Sequence, residues 1–126
     1  MNIEKHIRSE LCKLSSSSLM LLFIKFAAAV PALIEQHKLA TEEEKKKLLC
    51  KYILMRDSIN ASRALLMERE GGAVLACPPT YYRAIYSSYW MSCAASFFRY
   101  ESGKVEAREC FGYILSLLHN EIKDLE

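Results

Sequence analysis

Arg56, Asn60 and Arg63 stand four and three residues apart, a spacing that puts them on one side of a helix. On a wheel of about 100° per residue, Leu48, Leu49, Tyr52, Ile53, Ile59, Leu66 and Met67 mark an apolar face. The two arginines fall near the middle of that face and Asn60 falls within it. An arginine so placed requires a partner, because an unpaired buried charge is very costly. The partner would be a carboxylate from another helix, an anionic ligand or an acidic residue of a bound protein. An internal ion pair, with the arginine stems lying along apolar surface, satisfies the same requirement. Because planar guanidinium forks suit carboxylate and phosphate, Arg56, Asn60 and Arg63 are candidates for an anion or partner site.

The second concentration of reactive surface is aromatic. Tyr82, Tyr86, Tyr89, Trp90, Cys93, Phe97 and Tyr100 lie along one side of the segment 80–100, with Ala84, Ser88, Ser92, Ala95 and Ser96 opposite. Almost no charge lies between Arg83 and Arg99, so the segment is expected to be covered on most sides, as a central core helix would be. Tyr and Trp are also enriched at interfaces, which makes Tyr82, Tyr86, Tyr89 and Trp90 partner-binding candidates.

Other chemistry is not indicated. His6, His37 and His119 are far apart and share no ligand spacing with Cys, Asp or Glu; each is expected at the surface or at a helix end. The five cysteines, Cys12, Cys50, Cys77, Cys93 and Cys110, are odd in number and widely spaced. They predict free, mostly buried thiols in a reducing cytoplasm rather than a disulfide framework or a zinc site. There is no phosphate loop, no G-x-S-x-G and no H-E-x-x-H. No catalytic residue, metal ligand or cofactor is therefore expected.

These residues must be held by helices. With 126 residues, 52% hydrophobic and 25% charged, the chain suits one ordered domain over 1–126. Four glycines and three prolines are too few for a many-turned β-fold. The expected fold is all-α, a single four- to five-helix bundle, with helices at about 3–14, 19–37, 41–70, 80–100 and 104–125. Ser18 is expected to cap the second helix and Pro31 to kink or split it. Thr41-Glu42-Glu43-Glu44 is a capping box, and Gly71-Gly72 ends the third helix. In the fifth, Ala107, Cys110, Phe111, Ile114, Leu117, Leu118, Ile122 and Leu125 form a core-facing stripe.

Net charge is +2, and the one basic run, Lys45-Lys46-Lys47, follows three glutamates, as on a solvated helix surface. That balance does not favour a strong nucleic-acid binder. The apolar run 19–29 resembles an export signal, but Glu4, Glu10 and Lys25 oppose that reading. The run is too short for a membrane span of about 20 residues, so no membrane association is expected.

The stretch Arg56-Asp57-Ser58-Ile59-Asn60-Ala61-Ser62-Arg63, with Phe97-Phe98-Arg99-Tyr100, resembles HEPN domains. These are small helical bundles of toxin–antitoxin and phage-defence systems, many of them ribonucleases. The resemblance implies an arginine, a following polar residue, and a histidine four to six residues further along the same helix. Arg56 and Asp57 match its start. The histidine is missing: Asn60 lies closer in, and Arg63 stands at the outer edge of its range.

Two function classes follow. The first is a cytoplasmic, non-enzymatic binding or inhibitor protein that acts by protein–protein contact, such as an immunity protein or antitoxin meeting a toxin. Its small size, lack of a catalytic set, and arginine and aromatic anchors favour it. The alternative is a HEPN-like ribonuclease or regulatory homodimer that uses Arg56, Asn60 and Arg63, with RNA as its partner in the first case.

Overall fold

A computed structural model describes residues 2–70 and 107–125, and these residues are all-α. Helix α1 spans Ile3–Leu11, α2 Ser16–Leu39, α3 Glu42–Glu70 and α4 Ala107–Leu125. The expected helix at 80–100, the Gly71-Gly72 stop and residues 104–106 lie outside the described residues.

Local chemistry sets each boundary. Asn2 caps α1, its side chain accepting from the Lys5 N–H at 3.1 Å. The helix closes at Cys12 rather than Leu14, and Leu14 is buried beneath the turn. Ser15, not Ser18, caps α2. Its backbone is extended, with φ −65° and ψ 158°, and its hydroxyl accepts from the Ser18 N–H at 3.1 Å. An N-cap needs that extended geometry and a free side-chain acceptor. The first of the serines supplies both, and the next three enter the helix.

Pro31 neither splits nor ends α2, which runs unbroken for 24 residues. A proline costs an interior helix one hydrogen bond and a steric conflict. Here Ala27, Val30, Leu33 and Ile34 are all buried around it, and that packing offsets the loss. Continuity changes the membrane arithmetic as well. As a single element, α2 is long and apolar enough to cross a membrane by length and composition, with half of its most apolar window buried within the fold.

The capping box at the start of α3 forms as expected. The Glu44 N–H donates to Thr41 Oγ1 at 3.3 Å, and the Thr41 N–H donates to Glu44 Oε2 at 3.1 Å. The α4 stripe also faces the core. Ile114 and Leu118 are fully buried, and Phe111, Leu117, Ile122 and Leu125 pack against the same cluster.

Helix α3 is the hub, packing against α1, α2 and α4. Its buried positions include Cys50, Leu54, Asp57, Ser58, Ala61, Ser62 and Leu65 as well as Leu48, Tyr52, Ile59 and Leu66. At about 100° per residue these sweep roughly two-thirds of the circumference. The small members, Ser58, Ala61 and Ser62, leave room for a neighbouring backbone to come close. At its far end, Arg69 reaches back to the α1–α2 turn and donates to the Cys12 carbonyl at 2.9 Å and the Leu14 carbonyl at 2.8 Å. These carbonyls lie beyond the last turn of α1, where helices leave acceptors unsatisfied.

His37 sits in the last turn of α2, at a helix end as expected, and is buried there at 1% exposure. One expectation about the cysteines is overturned. Cys12 is a free thiol, whereas the buried Cys50 is disulfide-bonded. The wide cysteine spacing hid that bond, because a pairing between cysteines far apart in sequence leaves no local signature. Free thiols were the ground for a reducing compartment, and at Cys50 that ground is lost. The side chains of Cys77, Cys93 and Cys110 lie outside the described residues.

Candidate partner-binding site

Between Leu48 and Met67 the exposed residues of α3 fall on one strip. Arg56, Asn60, Arg63 and Met67 are all exposed, and they recur at steps of four, three and four residues. The expectation that the two arginines sit on a core-facing surface is therefore corrected. The physical reason is that α3 is packed on most of its sides, by small and polar residues as well as large ones. Seven large residues suggested a face, but the buried arc extends through the small and polar Asp57, Ser58, Ala61 and Ser62. The arginines stand in the remaining gap, on its Tyr52 side, with Asn60 and Met67 nearer its centre.

Within the strip the three polar residues differ. The Arg56 Nε donates to Asp57 Oδ1 at 3.1 Å, and its guanidinium carbon lies 5.8 Å from the centre of the Tyr52 ring, within cation–π range. Arg56 is thus held on both sides by neighbours on its own helix. Asp57 turns inward and is only 6% exposed. Burial raises its carboxyl above the ordinary value of 3.8, outweighing the opposing pull of the Arg56 guanidinium, and Glu4 of α1 adds to the rise. Among the described residues, Arg63 and Asn60 make no hydrogen bond or ion pair.

At 1.5 Å rise per residue, Arg56 and Arg63 are about 10 Å apart along the helix. That separation suits two carboxylates spaced along a partner surface better than a single anion. Met67, 38% exposed, adds an adaptable apolar contact at the end of the strip. The remaining candidates, Tyr82, Tyr86, Tyr89 and Trp90, lie outside the described residues.

The other ionic contacts are peripheral. Arg8 pairs with Glu68, joining α1 to α3, and Lys25 pairs with Glu121, joining α2 to α4. Both are solvent-facing and contribute little each. His6 meets Phe111 edge-on, with ring centres 5.7 Å apart, so it packs between α1 and α4. No group of three or more His, Cys, Asp or Glu side chains converges among the described residues. Sequence reasoning missed Arg69 because its role depends on a turn more than fifty residues away, which no local spacing signals. No protein-family model, curated protein or solved structure matches the chain.

Proposed function

We propose that the chain is a single helical bundle of four to five helices over residues 1–126 that works as a protein-binding module, of the kind that inhibits a partner by covering it. The observation that carries this reading is the exposed row of Arg56, Asn60 and Arg63, with Arg63 and Asn60 unengaged by any described residue. Arginine is among the residues that most often anchor interfaces, and Arg56 is held in place by Asp57 and Tyr52. The partner is a protein whose surface presents acidic residues about 10 Å apart; a toxin held by an immunity protein or antitoxin is the concrete version.

The test is co-expression of the chain with the product of the adjacent reading frame, followed by affinity measurement on the purified pair. The expected result is a stable complex that Arg63→Glu weakens at least tenfold, about 1.4 kcal/mol, without changing the melting temperature of the free chain. A complex indifferent to Arg63→Glu, or no complex at all, would refute the proposal. Light scattering on the chain alone reads the homodimer alternative. RNA cleavage by the chain alone, lost in Arg56→Ala and Arg63→Ala, would replace this reading with the ribonuclease one.

A further inference from the structure

The α2–α3 hairpin and α4 border an open cleft of about 440 Å³, within the usual size range of small-molecule sites. Its apolar lining is the 90% exposed Leu39 at the end of α2, the buried Leu48 of α3 and the half-buried Tyr113 of α4. Leu39 thus stands in water beside the apolar wall of Leu48 and Tyr113, open to a ligand in the cleft.

Lys47 and Lys51 line the same cleft from successive turns of α3. Neither makes an ion pair or hydrogen bond among the described residues, and like charges one turn apart repel each other. Glu44 also lines the cleft, but its Oε2 accepts from the Thr41 N–H at 3.1 Å, so the capping box engages that carboxylate. Lys51 is partly buried, where charge is screened less than at the open surface. Two cations thus flank an apolar wall. A ligand that satisfies both carries an anionic head on an apolar body.

We propose that this cleft binds a small amphipathic carboxylate, with the head between Lys47 and Lys51 and a body of roughly ten carbons against Leu39, Leu48 and Tyr113. The site is independent of the Arg63 strip, since Lys47 and Lys51 lie more than about 100° around α3 from Arg56 and Arg63.

The experiment titrates the full chain with decanoate, and in parallel with decanol, by calorimetry and by methyl NMR. Decanoate should bind saturably, shift the Leu39 and Leu48 methyl signals, and bind at least about tenfold more tightly than decanol. The double variant Lys47→Gln/Lys51→Gln should lose that preference while its melting temperature stays that of the parent. Arg63→Glu should leave decanoate binding unchanged, which separates this proposal from the protein-binding one. Equal binding of decanol and decanoate, shifts confined to other methyls, undiminished binding by the double variant, or no saturable binding would each overturn it.

Discussion

Arg69→Ala removes the side chain that ties the end of α3 to the α1–α2 turn. In the structure its guanidinium donates to the Cys12 and Leu14 carbonyls at 2.9 and 2.8 Å, with a longer contact to Ser16 Oγ at 3.4 Å. A hydrogen bond from a charged donor contributes about 1.5–3 kcal/mol. Two at the low end, discounted because Arg69 is solvent-facing and the Cys12 acceptor can be taken over by water, leave a loss of about 2 kcal/mol. For a chain of this size that corresponds to a fall of roughly 6–10 °C in melting temperature. Thermal unfolding followed by circular dichroism measures it, with Arg8→Ala as the control. Arg8 pairs with Glu68 across the same two helices, but that exposed pair should be worth less than about 0.5 kcal/mol. If Arg69→Ala melts within about 2 °C of the parent, the turn is closed by its apolar contacts and the reasoning from carbonyl satisfaction fails.

Asp57 should make stability depend on pH. Its folded-state value is raised, so its contribution is fully present below the ordinary value and is lost as pH rises through the folded one. Asp57→Asn should lack that fall; parallel denaturant titrations near pH 4 and near pH 7 decide it, and identical pH profiles for variant and parent would count against the burial argument. Ser58 is fully buried and its hydroxyl has no hydrogen-bond partner among the described residues, so Ser58→Ala should leave stability unchanged or raise it by up to about 1 kcal/mol. A loss larger than about 1 kcal/mol in urea unfolding would contradict this.

Where the chemistry is local, the sequence was readable. The capping box at Thr41 and Glu44 forms with the reciprocal bonds its residue types require, and the apolar period of α4 marks its buried stripe. Where the answer depends on what packs against a helix from several sides, it was not. Helix α3 is buried over most of its circumference, by small and polar residues as well as large ones, so its largest side chains point to the wrong centre and put Arg56 and Arg63 on it. The small residues Ser58, Ala61 and Ser62 carry little weight on a hydrophobicity scale, though they are as buried as the large ones. Likewise Lys47 reads as part of a solvated charge run, and only the fold brings it and Lys51 beside Tyr113 from the far end of the chain.

Only Ala40 and Thr41 separate α2 from α3. Closing so short a connection costs little chain entropy, and the two helices share the largest interface among those described. Helix α4 must instead be brought back across the 36 residues that lie between Glu70 and Ala107, and entropy is lost before its contacts return anything. The hairpin of α2 and α3 should therefore be structured early in folding, with Ile114 and Leu118 joining late. Truncating Leu22 would slow folding, whereas truncating Leu118 would mainly speed unfolding. Stopped-flow chevrons of the two alanine variants would show the reverse pattern if α4 nucleates the fold.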